Sequence, residues 1–337
     1  MKRESPKYLF IGGIREDYSI THTNRVISGA LGGNAIYSAV GARIWSDSVG
    51  IIGRIGSNFD GAKLEKIKRA GVDTSNVRVL DQPLSTITFY AYLSPEERVD
   101  VNPTLHYRRI NKLMPKALLD YRSSTEGQGD RQNFTPHTIR PTDIPESLCS
   151  VQGVHLAPAD YLSHITIPPH LQRNAIRWIT LDPSIRYMIP DFKRDLPILL
   201  HSINVFLPSE LEAREFYYQG IKDVWEIAEA FGGMGPRFVV IKQGKQGQAL
   251  WDRDAKRRWL IPAYPSKVRD VTGAGDAFCG GFLVGLNETL DPVEACLRGS
   301  VSSSLVVEGS GALYALGAAP GLTQARLSAL RSRIREL

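Results

Sequence analysis

The sequence predicts an α/β fold, with a mainly parallel central sheet covered by helices on both faces and a small antiparallel sheet grafted onto it. Three observations predict it. Strand-length apolar runs alternate with segments of helical periodicity along much of the 337 residues. Two stretches, 18–28 and 84–102, hold β-branched and aromatic residues with no intervening helix, as a separate small sheet would. Glycine pairs stand where strands pass into helices, at Gly32-Gly33 and around Gly273 and Gly275, and ligands of open α/β sheets bind beyond the carboxyl ends of strands.

The elements follow in order. Residues 8–14 read as the first strand, 35–45 as a helix, 49–55 as a strand, and 61–70 as a helix stopped by Gly71. From 106 to 147 the chain turns polar and rich in Pro, Ser and Gly, and 123–131 reads as a mobile loop. Strands at 151–156, 178–181, 203–207 and 238–241 then alternate with or precede helices at 210–217, 222–231, 274–286 and 292–307. A last helix over 322–337 places Leu327, Leu330 and Ile334 on one side and several arginines elsewhere. A solvated helix packed on the core explains that pattern better than a basic membrane-surface helix.

Charge and cysteine content narrow the class. The 41 basic and 35 acidic residues are spread along the chain without a long basic run, which argues against nucleic acid as a partner. A net charge of +6 still favours anionic small molecules such as nucleotides. Cys149, Cys279 and Cys296 are far apart and show neither metal spacing nor a disulfide framework, as expected in the reducing cytoplasm. The basic Met1-Lys2-Arg3 start leads into an apolar run too short for a signal core, and no run reaches membrane-spanning length.

The chemistry concentrates in Asp270-Val271-Thr272-Gly273-Ala274-Gly275-Asp276. Phe278, Phe282 and Leu286 follow at helical spacing, so the glycines stand at a helix start. Unpaired amides and the positive end of the helix dipole make that a phosphate site, with the amides of Gly273, Ala274 and Gly275 as the cradle. Asp276 falls in the first turn beside it. A carboxylate there either caps the helix or takes a proton from an attacking hydroxyl. Asp17, past the first strand and its glycines, is either a turn carboxylate or an acceptor for substrate hydroxyls. Lys242, at the end of an apolar strand, is either a solvated turn residue or a point charge for phosphate. There is no P-loop, no third glycine completing a dinucleotide fingerprint, no His-Glu-x-x-His and no Gly-x-Ser-x-Gly.

In this order the segments resemble the ribokinase-like (PfkB) carbohydrate kinases, whose second signature is D-T-x-G-A-G-D; here Val271 replaces the Thr. The resemblance spans roughly residues 8–316. It implies one ribokinase-like three-layer domain over 1–337, with lid segments at about 15–30 and 84–110, and an ATP-dependent phosphotransferase acting on a hydroxyl of a sugar or nucleoside-like molecule. It implies that Asp276 is the base and that Asp17 binds sugar hydroxyls, with Gly32 and Gly33 bringing backbone against the substrate. Pro208-Ser209-Glu210-Leu211-Glu212 resembles the family's Asn-x-x-Glu segment, which implies that Glu212 organises Mg²⁺ through water. Lys242-Gln243-Gly244-Lys245-Gln246-Gly247 resembles its Thr-x-Gly-x-x-Gly turn near the nucleotide. The turn around Gly309 and Gly311 corresponds to the one bordering the adenine, and a monovalent cation such as K⁺ is implied near it and near Asp270 and Thr272. A homodimer through the lid is also raised by the resemblance. The chain departs from the pattern at Arg15 and Tyr37, where many members carry Asn, and at Ser209 and Lys242. Arg15 and Tyr37 either pack aside or select an acceptor bearing an acidic or unusual group. A non-catalytic ligand-binding protein on the same fold is the rival reading.

Overall fold

The computed structural model describes residues 5–94, 97–218 and 220–337. The basic Met1-Lys2-Arg3 start and two positions of the expected lid, 95 and 96, lie outside the described residues. Strand β1 (Tyr8–Ile11) is followed by β2 (Arg15–Ile20) and β3 (Val26–Gly32), then α1 (Asn34–Arg43), β4 (Val49–Ile55), α2 (Gly61–Arg69) and β5 (Val72–Val79). Strands β6 (Ile87–Tyr92) and β7 (Arg98–Val99) precede α3 (Pro103–Arg109). After the polar stretch come β8 (Gly153–Leu156), α4 (Tyr161–Gln172), β9 (Trp178–Leu181), α5 (Leu196–Leu200), β10 (Val205–Phe206), α6 (Glu210–Phe216) and α7 (Val224–Gly232). The chain closes with β11 (Phe238–Lys242), β12 (Gln248–Asp252), β13 (Arg257–Ile261), α8 (Ala274–Thr289), α9 (Pro292–Val306), α10 (Leu322–Arg331) and β14 (Arg335–Glu336).

The large sheet has the order β14-β13-β12-β11-β10-β9-β8-β1-β4-β5. From β5 to β11 every pairing is parallel. Such strands are covered on both faces and so read as apolar throughout. Alternate residues feed two separate cores, one on each face. Tyr8, Phe10, Phe238 and Val240 pack with α1, α8 and α9. Leu9, Ile11, Val239 and Ile241 pack against residues of α4 to α7. This is the expected three-layer α/β arrangement.

A second sheet has the order β3-β2-β6-β7. Its outer pairings are antiparallel, and its central β2–β6 pairing is parallel. Tyr18, Ile20 and Phe89 turn to a small core of their own with Tyr107 and Leu118.

Helix α10 ends at Arg331 rather than running to 337. Arg335 and Glu336 instead pair with β13, the otherwise open edge of the large sheet, and Arg257 holds Glu336 at 2.5 Å. Backbone pairing at the sheet edge outweighs a few more residues of helix, because an open edge leaves ladder groups unpaired.

Helices α1 and α8 meet through glycines. A Cβ on Gly280 would stand 1.8 Å from the Ser38 carbonyl oxygen, and one on Gly41 would stand 2.1 Å from that of Ala277. This approach sets α8 deep against α1 and so fixes where its N-terminus lies. Gly280→Ala gains about 1 kcal/mol in helix propensity but must push two helices apart, and overpacking of this kind costs about 1–3 kcal/mol. The variant is expected to unfold at lower urea concentration; a higher midpoint would contradict the packing argument.

Candidate active site

Helix α8 is preceded by Gly273, which has φ +77°, a backbone conformation that favours glycine. The Ala274 amide is turned back to the Val271 carbonyl at 3.2 Å. The amides of Gly273, Gly275 and Asp276 make no hydrogen bond among the described residues. The unpaired donors of this helix end are therefore Gly273, Gly275 and Asp276, with Ala274 set aside by the turn. Thr272 donates its amide to Asp270 Oδ1 at 3.0 Å, which braces the loop from outside.

Asp276 lines a cavity of about 540 Å³ between the carboxyl ends of the parallel strands and the lid. It forms no ion pair among the described residues. Burial pushes its pKa up to about 6; Lys242 and Arg98 pull against that shift, and Asp17 and Glu212 add to it. It is thus a carboxylate poised to hold or release a proton near neutral pH, a few atoms from unpaired amides.

Lys242 ends β11 and forms an ion pair with Asp182, with Cys279 Sγ 3.8 Å from its Nζ. It lies beneath the glycine loop, since a Cβ on Gly275 would stand 3.5 Å from Nζ. Burial opposes the Lys242 charge, and Asp182 more than offsets it, so the ammonium stays protonated. Asp182 follows the carboxyl end of β9. Residue reading passed over it, and a carboxylate just beyond a core strand was the available signal.

Glu212 also lines the cavity. Its carboxylate accepts from the Ser209 amide at 2.7 Å while its own amide donates to Ser209 Oγ at 3.3 Å. That capping box is the local reason α6 starts here. Burial and then Asp182 push the Glu212 pKa up to about 7.

The opposite wall belongs to the lid. Asp17 is 4% exposed; it accepts from Thr88 Oγ1 on the neighbouring strand, and its Oδ2 has no partner. Burial first, then the more distant Asp270, raises its pKa to about 6, while the Thr88 hydrogen bond counters the shift. Gly32 leaves room for this carboxylate, because a Cβ there would fall 1.8 Å from Oδ2. Gly33, at φ +98°, passes so near Gly13 that a Cβ would stand 2.4 Å from its carbonyl oxygen. Asn34, which residue reading left unassigned, ties this corner together: it accepts from the Gly13 amide at 2.7 Å and donates to the Pro158 carbonyl. Tyr37 is buried with its ring against Gly273 and so connects the lid wall to the helix end. Arg15 is half-buried in the same wall, its Nη1 3.3 Å from His137 Nδ1.

Thr272 lines the cavity, and its hydroxyl meets that of Tyr92 at 2.8 Å. Lys242, Gly244, Gly247, Gly309 and Gly311 are not among the cavity-lining residues. Gly247 packs against the backbone of Ile261, and Gly309 against the Tyr314 ring. The turn that follows α9 is nevertheless joined to the loop, because the Arg269 amide donates to the Val307 carbonyl at 2.8 Å.

Comparison with known proteins places this arrangement. Residues 172–318, which hold Asp182, Glu212, Lys242 and Asp276, match the pfkB family carbohydrate kinases. The chain is 26% identical to a cytidine kinase of Thermococcus kodakarensis over 79% of its length and 84% of the relative's. It is 25% identical to a ribokinase of Lactococcus lactis over 98% of both. Its fold superposes on a Burkholderia thailandensis nucleoside kinase in complex with inosine with a TM-score of 0.69, at 18% identity, covering 96% of this chain and 99% of the other. In family terms, the chain is similar to the pfkB carbohydrate kinases over residues 172–318 and to a ribokinase along nearly its whole length.

Proposed function

We propose that the protein transfers a phosphoryl group from ATP to a hydroxyl of a sugar or nucleoside-like acceptor. The observation that carries this is Asp276: a carboxylate free of ion pairs, one turn into a helix, beside unpaired amides and inside the cavity. The acceptor oxygen attacks the terminal phosphorus as its proton passes to Asp276, the bond to the bridging oxygen breaks, and ADP leaves. The amides of Gly273, Gly275 and Asp276 meet the negative charge on the transferring group. Lys242 supports the charge of the loop from below. Asp17, with an unpartnered carboxylate oxygen, takes acceptor hydroxyls. Gly244, Gly247, Gly309 and Gly311 lie outside the acceptor end and suit the nucleotide side.

The donor set fits Mg²⁺. Glu212 and Asp276 face the cavity with oxygen only, and burial raises the pKa of each. Among the described residues no three such groups form a cage, as suits an ion that keeps its waters and is held largely by phosphate. Such an ion would neutralise phosphate charge, with Glu212 the residue that would hold it through water. Asp270, Thr272 and the turn after α9 are what a monovalent cation such as K⁺ would lie beside.

On this reading 1–337 is one domain. The lid segments, 15–30 and 84–110, close over the acceptor to exclude water, and two copies would pair through the lid. Among the described residues no helix is long and apolar enough to cross a membrane. The test is acceptor-dependent ADP release from ATP across a panel of sugars, sugar acids, sugar phosphates and nucleosides. Release with at least one acceptor is expected. Thermal stabilisation by an acceptor with no release from any would overturn the proposal in favour of a binding protein.

A further inference from the structure

The lid presents two guanidiniums that form no ion pair with a protein carboxylate among the described residues. Arg15 and Asp17 are two apart on β2 and so share one face, the one toward the cavity. The Arg15 guanidinium meets only neutral partners, His137 at 3.3 Å and the Ser85 carbonyl at 3.4 Å. Burial, then Arg15 itself, lowers the His137 pKa to about 3, so the imidazole is neutral and orients the guanidinium without supplying charge. Arg98 on β7 stacks 4.6 Å over the Tyr90 ring and lines the same cavity. Among the described residues neither arginine forms an ion pair.

The other two guanidiniums of the cavity are engaged. Arg54 pairs with Asp143 at 2.7 Å. Arg186 donates to Thr125 at 2.9 Å and faces Asp100 at 3.9 Å. The guanidiniums without an ion-pair partner therefore sit at the acceptor end, where a guanidinium fork matches the oxygens of a carboxylate or phosphate. A neutral acceptor would leave both guanidiniums without a direct ion-pair partner under the closed lid, which is unfavourable in a water-poor site.

We infer that the acceptor carries an anionic group, a carboxylate or a phosphate, held against the lid by Arg15 and Arg98 while Asp17 takes hydroxyls. This rests on the kinase reading of the same cavity.

The experiment compares matched acceptors, an aldose, its aldonate and its monophosphate, together with a neutral nucleoside. ADP release and calorimetric binding are measured for the wild type, Arg15→Gln and Arg98→Gln. One of the two anionic acceptors is expected to exceed its neutral counterpart in kcat/KM by about 30-fold or more, and which one does so separates carboxylate from phosphate. Each substitution is expected to raise KM for that acceptor more than it lowers kcat and to shrink the preference. Arg98 is exposed on a short strand, so its variant keeps the test open if Arg15→Gln fails to fold. Anionic binding that is lost in the variants, without ADP release, would overturn the kinase reading and leave this inference standing. Preferred turnover of a neutral acceptor, unaffected by either substitution, would overturn the inference and leave the kinase. No binding of either anion would also overturn it.

Discussion

Asp276→Asn is expected to lower turnover by about 10²–10⁴-fold, the usual contribution of a positioned base, while nucleotide affinity measured by calorimetry stays near that of the wild type. The amide keeps the shape of the carboxylate and leaves the backbone donors of Gly273 and Gly275 in place, but it cannot take the hydroxyl proton. The same carboxylate sets the pH profile. With its pKa raised to about 6, the base is ionised above that value, and kcat/KM is expected to fall about tenfold per pH unit below it. Asn should abolish this acid limb. The effect on stability has the opposite sense. A carboxyl with a folded pKa near 6 and an ordinary unfolded value binds more protons when folded, so its contribution to stability is present at low pH and is lost as pH rises from about 4 through 6. Asp17 shifts the same way. The unliganded Asn variant should therefore unfold at a higher temperature than the wild type at pH 7.5, and the difference should narrow at pH 5. Near-normal turnover in the variant would remove Asp276 from the chemistry.

Gly273→Val should be the most damaging change in the loop. At φ +77° a side chain costs about 1–2 kcal/mol, and a β-branched one is worse. The new Cβ would also fall 2.1 Å from the buried Tyr37 ring, which could move only into the cavity that it lines. Relief must come from shifting either the loop or Tyr37. Displacing reacting groups by about 1 Å can cost about 10²-fold in rate. The expected result is loss of measurable ATP affinity together with at least that loss of turnover. Gly275→Ala makes the informative contrast. Its φ does not require glycine, and its Cβ would meet only the Lys242 ammonium at 3.5 Å, so the protein should fold with wild-type stability and lose function only through crowding of bound phosphate. Equal stability losses in the two variants would show that loop geometry at Gly273 is not what maintains the site.

The central strands were legible because parallel strands buried on both faces must be largely apolar, as β1, β4 and β11 are apart from Arg54 and Lys242 near the carboxyl ends of the last two. Strand β5 was missed because it is a partly exposed edge strand of mixed polarity, so pairing with β4 rather than composition makes it a strand. The β12–β13 hairpin also escaped notice, as did α4, whose Pro168 and Pro169 argue locally against helix. Tertiary packing of Ile167 and Leu171 overrode that signal.

The sequence alone determined the alternation of strand and helix, the glycine loop with its following carboxylate, and the residues that depart from the family pattern, because these depend on neighbours along the chain. The tertiary structure decided which charges are compensated. Asp182 binds Lys242 from 60 residues away, Asp143 binds Arg54 from 89 away, and Arg15 finds the neutral His137 and the Ser85 carbonyl. Spacing along the chain carries no information about such pairs. They form only when the sheet brings its strand ends together, and burial there makes each unpaired charge consequential.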